Sequence, residues 1–287
     1  MATQVSLALG SGGARGYAHI GVLDELERRG YEVVAVSGTS MGAVVGGLYA
    51  AGHLDEFAKW VTTLSARDVL RLMDPSIRTP GAIKAERVMR RVREMLGGAL
   101  IEKLPIPFTA VATDRISSKE VWFQEGPVEA AIRASIAIPS IISSVTINGR
   151  LLADGGLLNP VPIAPLAGVD ADYIFAVDLS GPSSAQTSGH PVLLSSQRLP
   201  YRERTDTQLL PKIPRGINTF EVVNLSIETM QGLVTRYRTA GYPPDLMITV
   251  PVDSIGMLDF HKAKQQIALG RQLAAIELDR FEALHER

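Results

Sequence analysis

The segment Gly38-Thr39-Ser40-Met41-Gly42 constrains the fold of this chain more than any other part of it. It follows the apolar run 33–36 and precedes a stretch of small residues, 43–51. A strand that turns at once into a helix holds its turn residue in a strained backbone conformation, with neighbouring chain close on both sides. Glycines two positions before and after the serine leave that space. The segment therefore predicts a nucleophile elbow, with Ser40 at the carboxyl end of a strand.

The elbow also predicts a place where negative charge is stabilised. The amide of Met41 and the positive end of the following helix dipole would point at charge developing on a substrate oxygen beside Ser40. A glycine-rich turn that only packs a helix against a sheet has the same local pattern, so other parts of the chain must decide between the two readings.

The order of the predicted elements indicates the fold class. Apolar β-rich runs at 5–9, 33–37 and 108–113 alternate with helix-period segments at 16–29 and 41–51. A β-α-β-α order is typical of a parallel sheet covered by helices. The sequence thus predicts a three-layer α/β/α fold with a mostly parallel central sheet.

The 287 residues are predicted to form a single domain, since 46% of them are hydrophobic and supply one large core. The motif-bearing core spans 5–180, and a closing helix is expected at about 259–285. Between them, about 180–240 is predicted to be rich in loops, because Ser, Pro, Gly, Gln and Arg dominate from 180 to about 214. A surface excursion and a lid are both compatible with that composition.

Charge and composition exclude several classes of function. The formal net charge is −1, so the sequence lacks the basic excess that is typical of nucleic-acid-binding proteins. It contains no cysteine, which excludes disulfide bonds and a catalytic thiolate. The first residues lack the charged and apolar regions of a secretory signal, and no apolar run approaches the length of a membrane span. A soluble cytoplasmic protein is expected, and peripheral contact with a membrane surface stays open.

Two further segments complete a candidate catalytic site with Ser40. The first is the loop 10–16, whose glycines would let the amides of Gly12, Gly13 and Ala14 approach an oxyanion. The second is Asp154-Gly155-Gly156, which follows a hairpin predicted around Asn148-Gly149. A serine hydroxyl needs a base to take its proton, and Asp154 would be that base. Arg15 would either add positive charge or pin the loop, and no metal or organic cofactor is required.

These residues resemble the bacterial patatin-like phospholipases, which pair a Gly-x-Ser-x-Gly serine with the aspartate of an Asp-Gly-Gly or Asp-Gly-Ala motif. The likeness runs from about 5 to 179 and includes the stretches 14–23, 111–114, 133–135 with 138–139, and 154–157 with 159–162. The resemblance implies a Ser40–Asp154 dyad without histidine, an oxyanion role for Gly12, Gly13 and the nearby Arg15, and hydrolysis of lipid acyl esters. Ser11 departs from it, because that loop position is more often glycine in the family.

Several alternatives compete with this interpretation. An α/β-hydrolase triad would use His261 or His285, although too few strands precede residue 40 for that fold. A dinucleotide-binding site is disfavoured because Arg15 occupies the third glycine position. Acyl transfer, thioester hydrolysis and non-catalytic lipid binding all remain compatible with the same fold. Asp114 and Asp178 also follow predicted strands, and we expect both to be structural.

The apolar run Ile136–Ile142 has two interpretations. A buried strand is the simpler prediction, and a wall of an acyl-chain groove or a membrane contact is the other.

Overall fold

The central sheet is built from the apolar runs of the sequence. In the computed structural model, residues 2–73, 85–139, 141–183 and 219–285 are described. Within these residues one sheet contains eight strands: β1 (Gln4–Leu9), β2 (Glu32–Thr39), β3 (Phe108–Asp114), β4 (Lys119–Phe123), β5 (Val145–Ile147), β6 (Arg150–Asp154), β7 (Tyr173–Gly181) and β8 (Leu246–Pro251).

The strand directions confirm the predicted α/β class. β3, β2, β1, β7 and β8 lie side by side and are parallel to one another. The antiparallel strands β4 and β6 both pair with β3, and β5 pairs with β6. Parallel neighbours need crossover connections, which here are mostly helical. The sheet is therefore mixed but mostly parallel.

Helices flank this sheet. The described residues contain α1 (Ala18–Arg28), α2 (Met41–Ala50), α3 (Leu54–Val61), α4 (Ala66–Met73), α5 (Glu86–Leu96), α6 (Val128–Ser135), α7 (Thr219–Gly241) and α8 (Ala263–His285). The first of these starts later than predicted, because Gly13–Tyr17 form a short 3-10 helix before α1. Of the described helices, none combines the length and the apolar character needed to cross a membrane.

Successive residues of β1 point to opposite faces of the sheet and meet different layers. Leu7 and Leu9 join the large core that the helices cover, together with Phe175 of β7. Between them, Ala8 faces a second core, where the sheet meets the segment that carries Ile163 and Leu166. Both faces of the sheet are thus covered, as expected for a three-layer arrangement.

The closing helix packs directly against the first helix. Gly21 of α1 and Gly270 of α8 leave no room for a β-carbon, because each lies against the backbone of the opposite helix. Leu278 and Phe281 on the same face of α8 are buried in the main core. The last helix therefore closes the helical layer over β7 and β8, starting at Ala263 rather than at 259.

One helix differs from the expectation for the segment 180–240. Residues 219–241 form α7, whereas the sequence predicts loops over that range. The prediction came from the Ser- and Pro-rich composition before 214 and was carried too far along the chain, since no proline occurs between 215 and 242. The part of the predicted loop from 184 to 218 lies outside the described residues.

Candidate active site

Ser40 lies at the turn between β2 and α2, as the elbow predicts. Its backbone has φ 56° and ψ −121°, a conformation that is strained for a residue with a side chain. A β-carbon on Gly42 would collide with the carbonyl of Leu9, and one on Gly38 would collide with that of Gly42. The two glycines therefore make the sharp turn sterically allowed, and only 3% of Ser40 is exposed.

Sheet register brings Asp154 to the same place. On β3, Val111 pairs with Thr39 at the end of β2, and the next residue, Ala112, pairs with Asp154 at the end of β6. The ends of β2 and β6 therefore meet along β3, although 113 residues lie between Ser40 and Asp154 in the sequence. Asp154 is 4% exposed, and it lines one small pocket together with Ser40.

The turn after Asp154 holds its carboxylate. Oδ1 accepts a hydrogen bond of 2.7 Å from the Gly156 N–H, while Oδ2 is buried and accepts none of normal geometry within the described part of the chain. Burial raises the pKa of Asp154 to about 6, against the opposing effects of the Ser40 hydroxyl and the Gly156 N–H. Gly155 lies against the Val111 carbonyl, which fixes this turn on β3. The result is a buried carboxylate that changes protonation just below neutral pH.

The glycine-rich loop lines the same pocket. Gly13 adopts φ +59°, and a β-carbon there would lie 2.5 Å from the Met257 carbonyl oxygen, so glycine is required. The N–H groups of Gly12 and Gly13 have no acceptor among the described residues, and neither does that of Met41 at the start of α2. The Ala14 N–H instead donates to the Met257 carbonyl at 2.8 Å. Three amides, but not that of Ala14, remain available to an oxyanion.

Arg15 supports this loop and lines neither of the pockets beside Ser40. Its guanidinium donates to the Gly12 carbonyl at 3.2 Å, to the Val252 carbonyl at 2.8 Å and to the Glu228 carboxylate at 2.6 Å. Of the two sequence interpretations, pinning the loop is the one that these contacts fit, since all three donor directions end on protein acceptors.

Ser135 is a site residue that sequence reasoning missed. Its hydroxyl oxygen accepts a hydrogen bond of 2.8 Å from the Ser40 N–H and donates one of 2.6 Å to the Val111 carbonyl. It lies at the end of α6, fully buried. The only signal in the sequence was its place within the Arg133-Ala134-Ser135 stretch of the family resemblance. The hydroxyl ties the strained elbow to β3.

An apolar pocket opens directly beside Ser40. Its cavity volume is about 120 Å³. Its wall comes from α2, α3, α4 and α5 and includes Val44, Phe57, Trp60, Val69 and Val88. Almost every lining side chain is apolar, so the pocket suits a hydrocarbon chain.

The described residues of the run Ile136–Ile142 contribute to that wall. The run is not the buried strand of the simpler prediction, because Ile141 and Ile142 donate their N–H groups to the Ile138 carbonyl and make a turn after α6. Ile136, Ile138, Ile141 and Ile142 line the apolar pocket. Short apolar runs do not distinguish a strand from a buried turn, which explains the wrong prediction.

Residues 7–167 match the family model described as "Patatin-like phospholipase", more than half of the chain. The chain belongs to the patatin-like phospholipase family. An uncharacterized NTE-family protein of Mycobacterium tuberculosis is 43% identical over 333 aligned positions, which cover 97% of this chain and 92% of that protein. Lysophospholipase nte1 of Emericella nidulans is 29% identical over 264 positions, covering 89% of this chain and 17% of that protein. This patatin-like protein is a lipid ester hydrolase.

One solved structure, VipD from Legionella pneumophila, aligns with 96% of this patatin-like chain and 67% of its own, with a TM-score of 0.44 and 13% identity. Likeness at that level carries no argument about the site.

The competing catalytic groups lie elsewhere in the patatin-like chain. Within the described residues no histidine lines the pockets beside Ser40. His285 packs against Tyr173 at the start of β7, the opposite end of the sheet from Ser40. Asp114 and Asp178 each accept hydrogen bonds from residues two or three positions later and so stabilise local turns. No group of three His, Asp or Glu side chains suited to a metal ion occurs in the described ranges.

Proposed function

We propose that this protein is a serine acyl hydrolase that cleaves phospholipid or lysophospholipid esters through a Ser40–Asp154 dyad and an acyl-enzyme intermediate. The observation that carries the proposal is that a serine in an elbow and a buried aspartate share one pocket, and that an apolar pocket opens from the same serine. The fungal relative is named a lysophospholipase, which supports the choice of substrate class.

The first half of the reaction forms the acyl-enzyme. Ser40 Oγ attacks the ester carbonyl carbon while its proton passes to Asp154. The oxyanion accepts hydrogen bonds from the free N–H groups of Gly12, Gly13 and Met41, which the helix dipole of α2 reinforces. The bond to the alcohol then breaks, and the leaving oxygen takes the proton from Asp154.

The second half repeats these steps with water. Water gives a proton to Asp154 and attacks the acyl carbon, and Ser40 leaves with that proton as the fatty acid is released. Asp154 suits both directions because its pKa of about 6 lets it take up and return a proton near neutral pH. Arg15 has a supporting role, since it holds the carbonyl side of Gly12 while the N–H groups face the substrate.

The apolar pocket is assigned to the acyl chain. Gly13, Ser40 and Ile138 line both this pocket and the smaller one that contains Asp154, so a chain in the first would place its ester carbonyl beside the dyad. Val88→Phe adds bulk to the pocket wall without touching Ser40. We expect this variant to shift the preference from long to short acyl chains, measured as the ratio of kcat/KM for two ester lengths. An unchanged ratio would place the chain elsewhere.

Fluorophosphonate labelling with peptide mass mapping tests the dyad without a choice of substrate. We expect labelling at Ser40 alone, none in Ser40→Ala, and labelling slowed by orders of magnitude in Asp154→Asn. Asp178→Asn is the matched control, because this aspartate lies near the end of β7 and, among the described residues, its carboxylate accepts hydrogen bonds only from Ser180. Wild-type rates in Asp154→Asn would remove Asp154 from the mechanism.

Product analysis separates the remaining activities. Free fatty acid as the sole acyl product supports hydrolysis, whereas acyl groups recovered on an added alcohol indicate an acyltransferase. A preference for thioesters would indicate a thioesterase. A folded protein that binds lipid but neither labels nor turns over any ester would be a lipid-binding protein.

A further inference from the structure

Helix α7 forms one wall of the pocket that holds Ser40 and Asp154. Its residues Ile227 and Gln231 line that pocket, and the Gln231 side chain lies against Gly156. Its Glu228 carboxylate accepts the hydrogen bond from Arg15 at 2.6 Å. Farther along, Arg238 pairs with Glu120 at 2.6 Å. The inward face of α7 is therefore tied to the loop behind the oxyanion site.

The outward face of α7 carries an apolar stripe. Val222, Ser226, Met230, Leu233 and Tyr237 recur every three or four residues, so they lie along one side of the helix. All five are exposed, Met230 to 57% and Tyr237 to 74%. From first to last the stripe runs about 22 Å, at about 1.5 Å for each residue. A soluble protein rarely leaves such a row uncovered.

The polar groups near this stripe suit an apolar environment. The Ser226 hydroxyl donates to the Val222 carbonyl at 2.8 Å, and the Thr229 hydroxyl donates to the Leu225 carbonyl at 2.7 Å. Neither donor therefore needs water. Arg236, which is exposed, lies one turn from Leu233 at the edge of the stripe, and the described side chains of the stripe include no carboxylate.

Exposed aromatic residues surround one end of the helix. Trp122 and Tyr242 line a groove together with Tyr237, and 42% and 49% of their surfaces are exposed. Tryptophan and tyrosine are enriched where a protein meets the polar layer of a membrane, because each has an apolar body and a polar group. The groove thus continues the stripe with side chains typical of a lipid interface.

We propose that this surface, the α7 stripe with Trp122 and Tyr242, docks on the surface of aggregated phospholipid and places the catalytic pocket against it. The proposal rests on the proposed function, because a lipid ester must leave its aggregate to reach Ser40 and α7 walls the pocket that it enters. Lipid is favoured over a second copy of the chain because the apolar stripe is bordered by Trp122 and Tyr242 and by the exposed Arg236. These side chains fit the polar layer and the anionic surface of a bilayer. The α7 stripe lies in the interface plane and does not span the bilayer.

Vesicle co-sedimentation tests this docking surface. The probe is a vesicle of equal parts phosphatidylcholine and phosphatidylglycerol, used with the full chain. We expect Met230→Gln/Leu233→Gln to bind at least about tenfold more weakly than the wild type, because the contact with the vesicle loses two apolar side chains that it would otherwise bury. The matched control is Ile276→Gln/Leu284→Gln on α8, whose last turns pack against Tyr173 at the start of β7, the opposite end of the strands from Ser40. It should bind as the wild type does.

A second variant removes no apolar packing. Ser226→Asp adds a negative charge to the middle of the stripe and should weaken binding to the anionic vesicle while circular dichroism stays unchanged. Equal binding by the α7 and α8 double variants would overturn the proposal, as would a wild type that binds no vesicle. A dimer that dissociates only in the α7 variant would show instead that a second copy covers the stripe.

Two controls separate docking from catalysis. Ser40→Ala should bind vesicles as tightly as the wild type, since the nucleophile does not contribute to the stripe. Hydrolysis of a short, monomeric ester should be unchanged in Met230→Gln/Leu233→Gln, while turnover of vesicle lipid falls. A wild type that binds vesicles but hydrolyses no ester would count against the dyad. A wild type that hydrolyses the monomeric ester but binds no vesicle would count against the docking surface.

Discussion

The protonation of Asp154 should control both the rate and the stability of this enzyme. A base acts only when it is ionised, so kcat/KM should rise with pH around the pKa of Asp154, which burial sets at about 6. At about pH 5 roughly a tenth of the molecules would have the ionised carboxylate, and at about pH 7 roughly nine-tenths would. We therefore expect kcat/KM to increase about tenfold over that interval. A carboxyl at the ordinary value would give almost no change.

The same pKa has the opposite consequence for stability. Because the pKa of Asp154 is higher in the folded than in the unfolded chain, the folded state binds its proton more tightly. Its contribution to the free energy of unfolding is therefore full below the ordinary value of 3.8 and is lost as the pH rises through about 6. The difference of about two pH units, at about 1.4 kcal/mol each, corresponds to about 3 kcal/mol.

Asp154→Asn isolates this effect, because asparagine cannot ionise and its carbonyl can still accept from Gly156. We expect the variant to lose nearly all turnover and to gain about 3 kcal/mol relative to the wild type between about pH 3.5 and pH 8. Urea unfolding of both proteins across that range measures the gain, and initial rates with a soluble ester measure the loss. Asp178→Asn should keep the turnover of the wild type.

Two results would refute the reasoning. A rate that is flat from about pH 5 to pH 7 would mean that Asp154 is not the base or is not buried as described. A stability difference between Asp154→Asn and the wild type that does not depend on pH would mean that its pKa is unperturbed. A gain in stability without loss of turnover would leave the burial correct and the mechanism wrong.

Three other substitutions test the supports of the site. Ser135→Ala removes the acceptor for the Ser40 N–H, so we expect fluorophosphonate labelling to slow about tenfold and the free energy of unfolding to fall by about 1–3 kcal/mol. An unchanged labelling rate would mean that Ser135 does not position the turn at Ser40. Burial lowers the pKa of His19 to about 4, so its contribution to the free energy of unfolding should be lost as the pH falls from about 6.5 through 4. Over that window the free energy of unfolding of His19→Gln, measured in urea, should fall by about 3 kcal/mol less than that of the wild type. An equal dependence on pH in the two proteins would contradict this. Arg15→Lys places one ammonium where a guanidinium contacts three acceptors including Glu228, and we expect kcat to fall about tenfold while KM changes less. A change in KM alone would instead assign Arg15 to substrate binding.

Much of the site was predictable because its parts are local. The strained turn at Ser40 needs small residues two positions away, so five consecutive residues suffice to predict it. The hairpin that precedes Asp154 was predicted from Asn148-Gly149, and both of these residues adopt positive φ. The α/β order followed from short runs of alternating period. The pairing of Ser40 with Asp154 was inferred from the three motifs together and was also implied by the family resemblance. The register on β3 is what brings the two residues together.

Tertiary structure decided everything that depends on partners far apart in the chain. Ser135 holds Ser40 across 95 positions, and Glu228 meets Arg15 across 213. Neither contact leaves a periodic pattern in the sequence, because hydrogen bonds between distant segments depend on how whole elements pack. The apolar pocket is of the same kind, since four helices and a turn each supply a few apolar side chains that look like ordinary core residues. The sequence by itself predicted the proposed reacting groups, Ser40 and Asp154, and the local turns that hold them. Packing determined the contacts that support these residues, the apolar pocket beside them and the exposed stripe on α7.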